Sequence, residues 1–409
     1  MYSVKSGERN RRRVGPLFGL RCSSVAIILG LGAGHGLGFA NRACAQSITA
    51  ATYNVRVAVT ADAIDDWIDT RRHLVFESIV ANQPDFMGFQ EAYARRANGE
   101  GITQQTALGQ LFEGTKWRYF SWEAENVFNM NPFIVNTDRF MIVDYGSTTI
   151  DFEEFLGPEG WRDYFELHRF FHGDENGNVH FLGPERYANW VVADDLLGGG
   201  RVAFLTSHYE TFIGENRRGP EYDKDFQYFS DLVNSSFGYA SEQIHAQAEL
   251  LDSDWCDLEA IIGGDFETPD PELPSQRAFT DAGYTETWRF INGNGRRPTR
   301  GIDNMFVMRT GFTINDSYYD QAEYTNGASD HKPLYAEVTL TNDGCDGDMD
   351  GDGQVNPVDS GLVQAAFGST DRGDLCQYDL DCDGQINPVD SGIVQSLFGT
   401  CEAVRAACP

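Results

Sequence analysis

Short apolar runs alternate with amphipathic stretches from about Ser47 to Leu340, and their spacing predicts strands interleaved with helices. Residues 48–55 read as a first strand. Residues 71–81 carry Leu74, Val75, Ile79 and Val80 at helical spacing and stop at Gln83-Pro84, after which Phe86-Met87-Gly88-Phe89 reads as a buried strand. Further strands are predicted over 132–135, 188–193, 202–206, 258–262, 302–307 and 334–340, and helices over 241–251 and 275–282. The segment 153–184 is rich in aromatic, glycine and acidic residues without a clear period, and reads as a long excursion near a functional site. Alternation of this kind predicts an α/β or α+β domain.

Both ends of the chain break the pattern. Lys5, Arg9, Arg11, Arg12, Arg13 and Arg21 precede an apolar, glycine-rich stretch from Ser24 to Ala40 that closes at Ala43-Cys44-Ala45, the organisation of an export signal occupying residues 1–45. The stretch is too short and glycine-rich for a comfortable membrane span, so a secreted or surface-associated protein without a transmembrane anchor is expected. The three consecutive arginines leave a general or a twin-arginine export route open.

At the other end the composition shifts at Thr341-Asn342-Asp343-Gly344, which sets expected domains of 46–341 and 342–409. An internal repeat follows. Asp348, Asp350, Asp352, Asn356 and Asp359 recur 31 residues later as Asp379, Asp381, Asp383, Asn387 and Asp390, with Gly353 and Gly384 at equivalent places. Oxygen side chains at loop positions one, three, five, nine and twelve, with glycine at six, match the ligand spacing of an EF-hand calcium loop. Each loop leads into one short apolar segment, 362–367 or 393–398, so the repeat resembles a type I dockerin module. That resemblance implies two Ca²⁺ ions, a paired calcium-loop helical fold and a cohesin-like partner or surface assembly. Pro357-Val358 and Pro388-Val389 stand where dockerins commonly carry hydroxylic or charged recognition residues.

Charge and cysteine placement refine this picture. The full chain has a formal net charge of −31; removal of residues 1–45, with seven basic and one acidic residue, leaves 24 basic against 61 acidic, net −37. Such a surface repels phosphate backbones and disfavours tight non-specific binding to nucleic acid. Cys345, Cys376, Cys382, Cys401 and Cys408 crowd the C-terminal stretch, which suits disulfides in an exported protein, while Cys256 stands alone in the large domain.

The candidate chemistry lies in short segments at the ends of predicted strands: Thr52-Tyr53-Asn54-Val55-Arg56, Gln90-Glu91, Thr206-Ser207-His208, Gly263-Gly264-Asp265-Phe266-Glu267, Ile302-Asp303 and Ser329-Asp330-His331. Taken singly each has a structural explanation, such as a turn cap or a satisfied core histidine. In this order they resemble the endonuclease/exonuclease/phosphatase (deoxyribonuclease-I-like) superfamily over roughly residues 48–340. Asn54-Val55-Arg56, Trp67, Arg71-Arg72 and Pro84-Asp85 further resemble a secreted bacterial subgroup of it.

The resemblance implies an α+β, four-layer sandwich of two packed β-sheets flanked by helices, and metal-dependent hydrolysis of a phosphodiester or phosphomonoester. Glu91, helped by Asn54 and Asp330, would offer hard oxygens to Mg²⁺ or Mn²⁺. His331, oriented by Asp303, would act as general base on a water that Asp265 orients. His208 would donate to a phosphoryl oxygen or protonate the leaving group, and Asn54 and Arg186 would contact substrate. Glu267 departs from the family, which usually has Asn there; a carboxylate cannot donate to phosphate, so this residue implies a second metal, an altered substrate or a weakened enzyme. Two other readings compete: a catalytically weak or inactive binding scaffold on the same fold, and a carbohydrate-active enzyme suggested by the dockerin-like tail alone.

Overall fold

The computed structural model describes residues 47–58, 65–93, 102–122, 129–151, 154–157, 185–197, 200–209, 223–254, 258–266, 270–294, 297, 302–308, 312–322, 325–340, 347, 349, 354–370, 374, 378, 380 and 385–400. These fall into two compact units, the larger running through Leu340 and the smaller built from the C-terminal repeat. The expected signal segment, Glu267, the six cysteines beyond residue 45 and the calcium-loop residues Asp348, Asp350, Asp352, Asp379, Asp381 and Asp383 lie outside the described residues. So does most of 153–184.

Among the described residues the larger unit holds two six-stranded sheets. The first contains β1 (Ile48–Asn54), β2 (Phe86–Gln90), β3 (Trp117–Phe120), β4 (Phe133–Asn136), β11 (Phe312–Tyr319) and β12 (Leu334–Leu340), in the order β11-β12-β1-β2-β4-β3. The second contains β5 (Phe140–Asp151), β6 (Glu185–Asp195), β7 (Gly200–His208), β8 (Glu259–Asp265), β9 (Tyr284–Glu286) and β10 (Asp303–Met308), in the order β5-β6-β7-β8-β10-β9. Each sheet contains one parallel pair, β1 with β2 and β7 with β8, and otherwise pairs antiparallel.

The sheets pack face to face through Phe86, Phe133, Phe140, Phe204, Ile261, Met305 and Leu334. On the outer face of the first sheet lie α1 (Arg72–Asn82) and α2 (Gln104–Gln110), whose buried Val75, Ile79, Ala107 and Leu108 join Tyr53, Met87, Phe89 and Tyr335. On the outer face of the second lie α3 (Asp223–Asp254) and α4 (Pro274–Asp281), which bury Ala240, Ile244, Ala248 and Phe279 against Leu205, Ile262 and Phe306. The result is the expected four-layer sandwich of two packed sheets flanked by helices. Because β1, β2, β7 and β8 are covered on both faces, their sequences are nearly continuous apolar runs rather than alternating ones.

Two glycines let backbones come close. A Cβ at Gly88 would lie 2.2 Å from Thr206 Oγ1 on the opposing sheet, and one at Gly264 would lie 2.2 Å from the Ser207 carbonyl on β7. At the pole away from the C-terminal ends of these strands, Arg139 joins the sheets: it pairs with Asp85 at 2.8 Å and Asp195 at 2.7 Å and donates to the Ser47 carbonyl at 2.6 Å. All three charged residues are buried.

Several elements go beyond the sequence expectation. The helix expected at 241–251 is part of the 32-residue α3. A π-helical turn, Trp67–Arg71, precedes α1, which ends at Gln83 in the left-handed region (φ 50°) just before Pro84. The strands β3, β5, β9 and β11 and the helices α2, α5 (Thr287–Asn292) and α6 (Thr325–Ala328) carried no clear signal. Among the described residues β3, β5, β9 and β11 lie at the sheet edges, and β5 and β11 mix buried, half-buried and exposed positions.

In the smaller unit, α7 (Pro357–Ala365) and α8 (Pro388–Ser396) pack around Val355, Val363, Ile386 and Val394. The strands β13 (Gln354–Val355) and β14 (Gly399–Thr400) pair beside them. Each helix starts with a capping box, Asn356 with Asp359 and Asn387 with Asp390. Ser360 and Ser391, 31 residues apart, meet through their hydroxyls at 2.8 Å, and Gln364 and Gln395 each donate to both. The near-identity of the two repeats is thus expressed as a two-fold-like packing of their helices.

Candidate active site

At the C-terminal ends of the two parallel strand pairs, the polar residues meet. Asn54 ends β1, and Glu91 follows β2 with a left-handed backbone (φ 59°) that turns its side chain back toward β1. One nitrogen, Asn54 Nδ2, donates to Glu91 Oε1 at 2.8 Å and to Asp265 Oδ2 at 2.9 Å, so a single amide ties a carboxylate of each sheet together. The other Glu91 oxygen accepts from the Val57 backbone N–H at 2.8 Å.

Strand register supplies the rest. His208 on β7 and Asp303 on β10 are the direct neighbours of Asp265 on either side of β8. His208 Nε2 stands 3.7 Å from Asp265 Oδ2 and 4.0 Å from Glu91 Oε1. His331, in the loop before β12, places Nδ1 2.9 Å from Asp303 Oδ2 and 3.7 Å from Asp265 Oδ2. Its backbone N–H donates to Ser329 Oγ, which itself donates to the Asn54 carbonyl at 2.7 Å.

The expectation that every segment ends a strand is corrected here. Asp303 begins β10, and Asp330 and His331 precede β12, because β10 and β12 run antiparallel to their neighbours β8 and β1 and so present their N-terminal ends at this pole.

Burial and like charge dominate the electrostatics. Asp265 and Asp303 are fully buried. Burial by itself would lower the His331 pKa, but the charges of Asp303 and Asp265 outweigh it and push the imidazole up to about 11. The two carboxylates therefore favour the protonated imidazole, against the expectation of a base poised near neutral pH. Burial raises Asp303, with His331 opposing the shift.

Asp265, Asp303 and His331 bring one potential ligand atom each within 4.8 Å of one another. The 2.9 Å contact between His331 and Asp303 holds a proton, however, which suits that pair to proton handling and leaves Glu91 and Asp265 as the hard-oxygen donors bridged by Asn54. Crowded carboxylates of this kind fit a divalent cation.

Three solved structures are similar to the chain. An endonuclease/exonuclease/phosphatase family protein from Bacteroides thetaiotaomicron shares 16% identity over 73% of this chain and 96% of its own, with a TM-score of 0.49. A mannosyl-6-phosphatase from Bacteroides thetaiotaomicron VPI-5482 shares 17% identity over 72% and 100%, with a TM-score of 0.47. The human Nocturnin catalytic domain shares 14% over 72% and 94%, with a TM-score of 0.44. No family model and no curated protein matches the chain.

Arg186 is buried on β6, the strand beside the one that carries His208. Asp330 lines a cavity with Arg56, Asp66 and Asn326. In the smaller unit, Asp359 accepts from the Met349 and Asn356 backbone N–H groups, both at 2.7 Å, and Asp390 does the same with Leu380 at 2.7 Å and Asn387 at 2.8 Å. Asn356 and Asn387 accept from the N–H groups of Val358 and Val389, each at 2.8 Å.

Residues outside the expected set support the site. Thr52 donates to Gln90 at 3.1 Å, and Gln90 donates to Thr206 at 2.9 Å, a chain crossing between the sheets directly beneath Asn54, Glu91 and His208. Arg71 stacks on Trp67 and donates to the carbonyls of Val55, Arg56 and Ala328, which fixes the loop after β1 to the segment before Asp330. The adjacency of Gln90 to Glu91 in sequence was the available signal for the first; Trp67, Arg71 and Val55-Arg56 stood among the motif residues, but the contacts of Arg71, with partners 15 to 257 residues away, were not specified by that motif.

Proposed function

We propose that the chain is an exported, metal-dependent phosphoester hydrolase whose C-terminal module attaches it to a surface or protein assembly. The observation that carries this reading is the connected cluster of Asn54, Glu91, His208, Asp265, Asp303 and His331, drawn from six separate segments. Glu91 and Asp265, tied together by the Asn54 amide, would hold Mg²⁺ or Mn²⁺. A bound ion of this kind supplies positive charge to phosphoryl oxygens and favours ionisation of an attacking water.

The chain's own residues do the rest. Asp265 accepts a hydrogen bond from the water and orients it. His331, aligned by Asp303, takes the water's proton, and it can do so only where positive charge balances the carboxylates that otherwise keep it protonated. The water oxygen bonds to phosphorus, the ester P–O bond breaks, and His208 delivers a proton to the departing oxygen. Arg186 adds positive charge to the phosphate side.

Residues 1–45 direct export, and the paired loops with Asn356, Asp359, Asn387 and Asp390 hold two Ca²⁺ ions. The exposed Val358 and Val389 give the module two equivalent apolar points for its partner.

The test is hydrolysis of p-nitrophenyl phosphate and bis(p-nitrophenyl) phosphate by the mature protein with Mg²⁺, Mn²⁺ or EDTA, beside Glu91→Ala, His331→Ala and Glu267→Asn. Turnover that EDTA abolishes and that falls at least 100-fold in the two alanine variants is expected, on the scale of losing a general base or an electrostatic stabiliser, roughly 10²–10⁴. Metal-independent turnover, or no turnover at all, refutes the reading.

A further inference from the structure

A cavity of about 400 Å³ opens beside the end of β1, between the loop after that strand and the segment leading to His331. Its walls include Arg56, Val57, Asp66, Asn326, Gly327 and Asp330. The volume lies toward the small end of the ~300–1,000 Å³ range of ligand pockets, room for one compact group.

Arg56 is fixed at its backbone and unpaired at its side chain. Its φ is 59°, a left-handed conformation that costs about 1 kcal/mol or more for a non-glycine residue. Its N–H donates to Asn54 Oδ1 at 2.8 Å, and its carbonyl accepts from Arg71 at 2.9 Å and Gln104 at 3.0 Å. Among the described residues its guanidinium makes no hydrogen bond or close ion pair, and the same holds for the Asp66 carboxylate. Asn326 accepts from Lys332 Nζ through Oδ1, which leaves its amide N–H groups as donors. The wall thus offers donors (Arg56, Asn326), acceptors (Asp66, Asp330) and a small apolar face (Val57, Gly327).

That alternation selects a ligand class. A hydroxyl both donates and accepts, so vicinal hydroxyls pair at once with carboxylates and with guanidinium or amide N–H groups, while a sugar's C–H face meets Val57 and Gly327. A nucleic-acid strand requires a run of cations and aromatic platforms instead, and the mature chain has 24 basic residues against 61 acidic ones. Position fits as well, because Asp330 adjoins His331 in sequence and Arg56 is hydrogen-bonded to Asn54.

We propose that this cavity binds the polyhydroxylated alcohol of a phosphomonoester, a hexose phosphate or similar polyol phosphate, with its phosphate directed at Asn54, Asp265 and His331. The inference rests on the phosphoester-hydrolase reading above and names its substrate class. In the reaction the sugar oxygen leaves phosphorus, takes a proton and departs as a hydroxyl.

The experiment compares kcat and KM for the 6-phosphates of glucose, mannose and galactose with those for p-nitrophenyl phosphate and a thymidine dinucleotide, in the mature protein with Mg²⁺ or Mn²⁺. Variants are Arg56→Gln, Asp66→Asn and, as a control on the same π-helical turn but outside the cavity, Asp69→Asn. For the best hexose phosphate, kcat/KM relative to p-nitrophenyl phosphate should fall about tenfold in Arg56→Gln and Asp66→Asn, mainly through KM, and hold in Asp69→Asn. An unchanged ratio in both cavity variants, or a wild-type preference for the dinucleotide, overturns the cavity assignment while leaving the hydrolase intact. If no phosphoester is turned over, the hydrolase reading fails and calorimetric titration with the same hexose phosphates decides the cavity. Binding weakened about tenfold by Asp66→Asn then supports it, and absence of binding overturns it.

Discussion

Asn54 is the residue through which the two halves of the site are joined, and Asn54→Asp perturbs it without changing its size. The wild-type amide nitrogen donates at 2.8 Å to Glu91 and at 2.9 Å to Asp265. Replacing N–H donors by a carboxylate oxygen removes two hydrogen bonds to charged groups, each contributing about 1.5–3 kcal/mol, and leaves like charges facing each other. At 2.9 Å, a pair of unit charges in an effective dielectric near 20 repels by roughly 6 kcal/mol, an upper bound because the new carboxyl can take up a proton instead. A metal-free loss of about 3–5 kcal/mol follows, comparable to stranding one member of a buried charged pair.

The sign of the pH dependence is fixed by the same geometry. The introduced carboxyl has a folded-state pKa raised above its unfolded value of about 3.9, so its penalty is present in full above the folded pKa and vanishes as pH falls toward the unfolded one. Urea unfolding of wild type and Asn54→Asp in EDTA, from pH 8 down to about pH 4, should show the stability gap narrowing with acid. Added Mg²⁺ or Mn²⁺ should also narrow it at pH 7, since a cation among the carboxylates offsets their repulsion. A gap that is absent, or that stays constant across pH and metal, would refute the view that Asn54 bridges two carboxylates at a cation site.

Other perturbations are equally specific. Arg139→Met strands Asp85 and Asp195 at the opposite pole and should cost about 3–5 kcal/mol in chemical denaturation, with much of the loss recovered when both aspartates are also changed to Asn. Gly88→Ala drives a Cβ against Thr206 Oγ1 and should destabilise by about 1–3 kcal/mol and lower activity by loosening the bridge through Gln90; wild-type stability would contradict the close approach of the sheets. Because the His331 pKa is raised to about 11, its contribution to metal-free stability is complete below about pH 6.5 and is lost as pH rises toward 11. The stability difference between wild type and His331→Gln in EDTA should therefore shrink across that window. Calorimetric titration of the full chain should detect two Ca²⁺ ions, reduced to one in Asp359→Ala or Asp390→Ala; unchanged stoichiometry would contradict calcium ligation there.

What could be read from the sequence alone was whatever a local pattern specifies. Strands covered on both faces, such as β1, β2, β7 and β8, are apolar runs in any order of assembly, and the helix α1 announces itself by spacing and by Gln83-Pro84. The repeat at Asp348 and Asp379 likewise carries its ligand spacing within twelve residues, and its helices α7 and α8 start where Asn356 and Asn387 cap them. Motif order survives in one dimension, and it singled out Asn54, Glu91, His208, Asp265, Asp303 and His331, which the sheets bring together.

Tertiary structure decided what depends on pairing. Whether Asp303 ends or begins its strand follows from the antiparallel register of β10 on β8, which no local signal encodes. The edge strands β3, β5 and β11 form because neighbours offer unpaired backbone groups, not because their own alternation demands it. The charge on His331 is set by Asp265 and Asp303, 66 and 28 residues away in the chain, brought within 3.7 and 2.9 Å by the sheet. The cavity beside Arg56 likewise exists only where the loop after β1 meets a segment some 270 residues later. Distance in sequence hides such partners, and only the folded chain assigns them an energy.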